Sequence, residues 1–195
     1  SKDNLTDILK KYQDCVTFVE FLGKARQMDA YNDALNKFGK ECKYLAFLDA
    51  DEFIYVKKDN NSLAAFLDTF FDDKYQAALV INWQIFGSSH FEERPEGLVT
   101  SSYLYKAKKN FQVNLHVKTV LQPAKVVGFI NDPHAAFYLP GYYAVNEKKE
   151  KIEGPFTNDV NVDIIQINHY FTKSRSEFIK KKNRGQATSE AQRTM

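Results

Sequence analysis

Tyr44-Leu45-Ala46-Phe47-Leu48-Asp49-Ala50-Asp51-Glu52-Phe53-Ile54 is the stretch that decides the fold. An apolar run meets the carboxylates of Asp49, Asp51 and Glu52 and then returns to apolar character. This predicts a buried strand whose carboxyl end opens into a polar crevice. Side chains alternate faces in extended chain, so Asp49 and Asp51 are expected to point the same way and Ala50 the other. Two carboxylates aimed at one spot repel unless a cation lies between them. Mg²⁺ or Mn²⁺, hard ions that take oxygen ligands and often hold phosphates, would fit. A solvated acidic turn is the plainer alternative. Placement at a strand end favours the metal-diphosphate site, because open α/β sheets bind ligands outside the carboxyl ends of their strands.

Upstream, Asp3 to Tyr12 has helical spacing, Val16 to Leu22 reads as a strand, and Ala25 to Lys40 carries Met28, Tyr31, Ala34, Leu35 and Phe38 on one helical stripe. That order, β-α-β with the strand at Tyr44, predicts parallel strands in an α/β sheet. Downstream, Asp59-Asn60-Asn61-Ser62 is turn chemistry, with Ser62 as N-cap of a helix through Leu63, Phe66, Leu67 and Phe70. Ala77 to Trp83 reads as another buried strand. From Phe111 to Leu121 apolar and polar residues alternate, which predicts a strand with His116 and Lys118 on its polar face, towards solvent or a ligand. Val126 to Ile130 and Ala135 to Leu139 are short strands, Gly141 to Pro155 a hairpin, and Ile164 to Ile167 a final strand. Ser174-Arg175-Ser176-Glu177 has the form of a capping box, so a helix is expected from about Arg175 to Asn183.

With 195 residues, 44% hydrophobic and 27% charged, the composition is that of a single globular domain. A net charge of +2 gives no reason to expect a nucleic-acid partner. The basic cluster Lys180-Lys181-Lys182 with Arg184 is a solvated helix face or a contact for an anionic membrane surface or a phosphate. Cys15 and Cys42 form no disulfide or zinc pattern and are expected as buried free thiols in a reducing compartment. No apolar run approaches the length needed to span a bilayer.

Six blocks carry a resemblance. They are Leu48 to Phe53, Trp83 with Phe86-Gly87-Ser88-Ser89, His116 to Val120, Asp132-Pro133-His134, Asn168 to Ser174, and Arg184-Gly185. In this order they resemble the family-92-like glycosyltransferases, whose bacterial relatives are labelled family-2-like. The resemblance implies a GT-A fold of the α/β class, a mixed sheet flanked by helices over residues 1–184, with a polar tail at 185–195. It implies that Asp49 and Asp51 bind Mn²⁺ or Mg²⁺ and the diphosphate of a nucleotide sugar, a UDP-hexose. It offers His169 first and His134 second as a further metal ligand. Lys118, Lys173 and Arg184 fall at matching basic positions suited to a leaving diphosphate. Two departures stand out. Ser89 runs directly into His90 where the family has a glycine between. The family's first strand, helix and second strand have no counterpart here, so the amino-terminal edge of the fold is expected to be missing.

The implied reaction moves a hexose to an acceptor hydroxyl with inversion, which requires a base on the far face of the sugar. Among Glu92, Glu93 and Asp132, the candidates are Glu93 and Asp132. Trp83 and Phe86 would stack on an acceptor or belong to the core. The acceptor is expected to be a glycan or a lipid-linked glycan in surface polysaccharide or lipopolysaccharide synthesis. That places the protein in the cytoplasm, at the inner face of the membrane, with the basic carboxyl-terminal helix touching lipid. Two rivals remain open: a non-catalytic sugar-binding remnant of such a domain, and a haloacid-dehalogenase-type phosphohydrolase with Asp49 as nucleophile.

Overall fold

The computed structural model describes residues 4–57 and 62–184, without the side chain of Arg184. In chain order the elements are α1 (Leu5–Leu9), α2 (Gln27–Phe38), β1 (Leu45–Ala46), β2 (Glu52–Val56), α3 (Leu63–Phe70), β3 (Gln76–Ile85), α4 (Val99–Ser102), β4 (Val117–Leu121), β5 (Val126–Gly128), β6 (Phe137–Tyr138), β7 (Tyr143–Val145), β8 (Lys151–Ile152), β9 (Ile165–His169) and α5 (Arg175–Arg184). The expected mixed α/β architecture is present. One sheet runs β1-β4-β3-β7-β8, and β9 joins β3 while pairing with β2 on its other side.

β3 is the spine, buried at every one of its 10 residues. It runs antiparallel to β4 and parallel to both β7 and β9. Its two faces fill two cores. Leu79, Ile81, Trp83 and Ile85 meet Leu67 and Phe70 of α3, whereas Ala78 and Val80 meet Leu35 of α2 with Phe47 and Phe129. A strand covered on both faces reads as a continuous apolar run, which is how the sequence reads at Ala77 to Trp83. Helices on opposite faces make three layers.

Strand directions bring the functional residues to one edge. β1 runs antiparallel to β4 through Leu45↔Leu121 and Ala46↔Val120, so the residues after β1 pass the start of β4. β2 runs antiparallel to β9 with Glu52 opposite His169. The end of β1, the starts of β2 and β4, and the ends of β3 and β9 therefore converge.

Several expectations need correction. Val16 to Leu22 is not a strand, and nearly all of it is exposed, because no strand among the described residues lies beside it to complete its hydrogen bonds. The β-α-β unit is thus not formed, and β1 finds an antiparallel partner instead. Of Phe111 to Leu121 only Val117–Leu121 is strand, and Gln112–Leu115 is a 3₁₀ turn. Asn114 explains the break: its side chain accepts from Ile85 N–H at 3.0 Å and donates to Lys108 O at 3.0 Å, replacing a ladder with side-chain bonds. Cys15 is exposed and Cys42 only partly buried, so neither is the buried thiol expected.

Ser62 caps α3 by accepting from Ala65 N–H at 3.2 Å, while Asp59, Asn60 and Asn61 of the expected turn lie outside the described residues. Among the described residues no helix is long and apolar enough to cross a membrane.

Candidate active site

The acidic stretch forms a tight turn between β1 and β2 that its own residues close. Glu52 N–H donates to Asp49 O at 3.0 Å, and Asp49 N–H donates to a Glu52 carboxylate oxygen at 2.9 Å. Tyr170, just past β9, donates its N–H to Asp51 O at 2.9 Å and ties the turn to that strand.

Asp49 and Glu52 share one basic partner, and Asp51 has two others. Lys118 Nζ lies 3.4 Å from Asp49 Oδ2 and 3.6 Å from Glu52 Oε2. Asp51 Oδ2 accepts from Lys181 Nζ at 2.6 Å, and Asp51 Oδ1 lies 3.6 Å from His169 Nε2. His169 Nδ1 is 3.8 Å from Glu52 Oε1, and both atoms are buried without a hydrogen bond. The chain is thus cross-tied from the turn to β4, β9 and α5.

Burial sets the protonation pattern, corrected by these neighbours. Burial pushes Glu52 up to about 7 despite the opposing pull of Lys118. Burial also works against Asp51, but His169 and Lys181 outweigh it and hold that carboxyl well below the usual carboxylate range. Burial pulls Lys118 down, yet Glu52, Tyr31 and Asp49 together raise it, so it stays charged. His169 is lowered by burial, only partly offset by Asp51.

Beside this turn stands Trp83, ringed by three of the chain's four histidines. His116 stacks on the indole at 4.8 Å and 11°, while His134 and His169 meet it edge-on at 5.2 and 4.3 Å. Trp83 Nε1 is buried with no hydrogen-bond partner. His134 Nδ1 lies 2.8 Å from Val117 O and His116 Nδ1 3.1 Å from Val113 O. A carbonyl only accepts, so each Nδ1 carries the hydrogen and each Nε2 is a lone-pair acceptor while the ring is neutral.

The structure brings together Asp49, Asp51, Lys118 and His169, with His134 across Trp83. Lys118 is 1% exposed and lies beneath the carboxylates, where the alternating pattern placed it on a polar face. Asp132 is half-buried and accepts from His134 N–H at 2.7 Å. Glu93 sits in an exposed loop. Lys173 has φ 54° in the turn before α5, where its charge acts on Glu177. Arg184 ends α5 and its side chain lies outside the described residues. Sequence reasoning missed Lys181 and Glu52. A signal for Lys181 existed: it lies seven residues after the cap Ser174, with Phe178 between them, at inward helical spacing.

Oxygen donors and one imidazole suit Mn²⁺ or Mg²⁺ in kind. Among the described residues no group of three or more His, Cys, Asp or Glu side chains is arranged to hold a metal ion. Asp51 Oδ1 and His169 Nε2 lie 3.6 Å apart at the turn.

The model of Glycosyltransferase family 92 matches residues 2–194. The chain belongs to glycosyltransferase family 92. No curated protein matches it. As a family-92 glycosyltransferase domain, its partners are a sugar donor and an acceptor. The convergent strand ends with their acidic turn gather three carboxylates, two lysines and His169 beside Trp83 at one sheet edge of this family-92 fold.

Proposed function

We propose that this family-92 domain transfers a hexose from a nucleotide sugar, a UDP-hexose, to an acceptor hydroxyl, with help from Mn²⁺ or Mg²⁺ and with inversion. The observation that carries this reading is the 3.6 Å between Asp51 Oδ1 and His169 Nε2. That is too long for a hydrogen bond and somewhat wider than the roughly 3.0 Å between neighbouring ligands of an octahedral cation held at about 2.1 Å, so a small side-chain adjustment would let the two share one ion. Few protein ligands are no obstacle, because Mg²⁺ commonly uses one or two carboxylates and takes its other oxygens from substrate phosphates and water.

Asp51 and His169 would hold the cation, with Asp49, whose side chain is 44% exposed, beside them. When bound, the cation supplies Lewis-acid neutralisation of the departing diphosphate. Lys118, sealed under Asp49 and Glu52, fixes the two carboxylates and does not touch the diphosphate. Lys173 and Arg184 keep the expected role of diphosphate partners. Asp132 is the better base of the two candidates. It sits beside His134 near Trp83 with one carboxylate oxygen tied down, whereas among the described residues no hydrogen bond or ion pair holds the Glu93 side chain. Asp132 would take the acceptor proton as the oxygen attacks the anomeric carbon. The acceptor would be a glycan or lipid-linked glycan of surface polysaccharide or lipopolysaccharide synthesis, with α5 against the inner membrane face.

Lysine pairing at both aspartates favours a second reading, a sugar-binding domain without turnover. The test is UDP release from a panel of UDP-hexoses with oligosaccharide acceptors. Transfer predicts Mn²⁺-dependent release that EDTA stops. Sugar binding with no release under any metal supports the second reading.

A further inference from the structure

Lys181 enters the acidic turn from the far end of the chain, and its surroundings suit a cation that changes partners. Its Nζ donates to Asp51 Oδ2 at 2.6 Å and to Phe171 O at 3.1 Å, and it lies 4.2 Å from the centroid of the Phe171 ring. The side chain is 16% exposed, so Lys181 is not sealed inside the protein. Lys118, by contrast, is 1% exposed beneath the same turn.

Charge matching sets the problem. Asp49 faces Lys118 and Asp51 faces Lys181, so each aspartate already has an ammonium of its own. A divalent cation arriving alone on Asp51 would meet Lys181 as a like charge a few ångströms away. A nucleoside diphosphate arriving with it brings the negative charge that matches the cation and offers the ammonium new oxygens. Lys181 needs no large movement for this exchange, since the Phe171 carbonyl and ring continue to hold it. A lysine on a flexible stem is suited to trading one anionic partner for another.

We propose that Lys181 is a placeholder cation: its ammonium holds the Asp51 carboxylate until a divalent cation and a nucleoside diphosphate arrive together, and it then pairs with the diphosphate. This rests on the reading of Asp51 and His169 as cation ligands. It makes the two ligands mutually dependent, so UDP tightens Mn²⁺ and Mn²⁺ tightens UDP by the same factor.

Mn²⁺ binding is titrated by electron paramagnetic resonance on the full chain, with and without UDP, for wild type, Lys181→Met, Lys181→Gln and Lys181→Arg. Wild type is expected to bind Mn²⁺ about tenfold or more tightly when UDP is present. Either neutral variant should bind Mn²⁺ alone about tenfold more tightly than wild type and lose most of the enhancement by UDP. K181R should retain the wild-type coupling. Circular dichroism identifies a variant that has not folded, in which case the other neutral variant decides. Unchanged coupling in a folded neutral variant, or weaker Mn²⁺ binding without UDP, overturns this inference and leaves the proposed transferase standing. Failure of wild type to bind Mn²⁺ even with UDP overturns both.

Discussion

Glu52 has a fully buried side chain and sits between a lysine and a histidine, and its ionisation gives the molecule a pH signature. Burial raises its carboxyl to about 7 in the folded protein, against 4.5 for a free side chain. A raised folded value means that its contribution to stability is full below about pH 4.5 and drains away as pH rises to about 7. The lowered histidines His116, His134 and His169 act the other way, costing stability as pH falls below about 6.5. The depressed Asp51 also loses stability on acidification. Urea melts of wild type and Glu52→Gln compared from pH 4.5 to 8 cancel those shared contributions. The difference should show wild type losing about 1–3 kcal/mol relative to the variant across that window. A flat difference would mean that Glu52 titrates normally. Asp51→Asn should lower Mn²⁺-dependent transfer by roughly 100-fold or more, because a carboxamide is a weaker ligand and carries no charge. Its melting temperature should fall by several degrees, because the pairing with Lys181 and His169 that depresses Asp51 is lost, while far-ultraviolet circular dichroism stays that of the folded wild type. A charged turn at Asp49 and Asp51 was legible in the sequence because an apolar run ends there in carboxylates; the expectation that both point the same way was not met, because the chain turns at Ala50-Asp51 and the two side chains meet different lysines. Lys181 was legible only as an inward position on its helix and not as a partner of Asp51: 130 residues separate the two, and inside a run of three lysines it looks like solvated charge.

Two elements hold the site in register. α5 begins with the predicted capping box, in which Glu177 N–H donates to Ser174 Oγ at 3.3 Å and Ser174 N–H to Glu177 Oε2 at 3.3 Å. Tyr103 extends it by donating its hydroxyl to Glu177 at 2.7 Å and accepting from Ser174 N–H at 3.0 Å. Ser174→Ala should cost about 1–2 kcal/mol, seen as a melting point lower by roughly 2–8 °C. β9 begins on Glu147, whose carboxylate accepts from the N–H groups of Asp163, Ile164 and Ile165 at 2.8, 3.0 and 3.0 Å. Glu147→Ala strands these donors and should destabilise by about 3 kcal/mol in denaturant melts. β3, the hairpin of β7 and β8, and α5 were readable because apolar runs, turn residues and caps are local signals. Val16 to Leu22 misled because strand formation depends on a neighbour that no residue within the stretch can announce. Phe111 to Leu121 misled because Asn114 spends its amide on the end of β3, and because β4 is buried at all five positions. A lysine in such a strand is a paired charge, not a solvated face.

At the scale of the whole molecule, the contrast is between a sheet with buried faces on both sides and an opening segment with almost none. From Asn4 to Arg26 no residue is buried, and Tyr12, Phe18 and Leu22 are more than half exposed. Limited chymotrypsin digestion followed by mass spectrometry should cut first between Tyr12 and Leu22, with β3 and β9 protected. First cuts within β3 or β9 would show that the two layers of core do not hold the sheet closed. The pairing of β2 with β9 carries a different consequence, for the order of events at the ribosome. The acidic turn is translated before its partners His169 and Lys181, with 130 residues separating Asp51 from Lys181. A nascent chain stalled before Ile165 therefore carries three carboxylates without His169 across from them, and a frameshift there removes both basic partners of Asp51 while leaving the pairing of β1, β4, β3, β7 and β8 encoded.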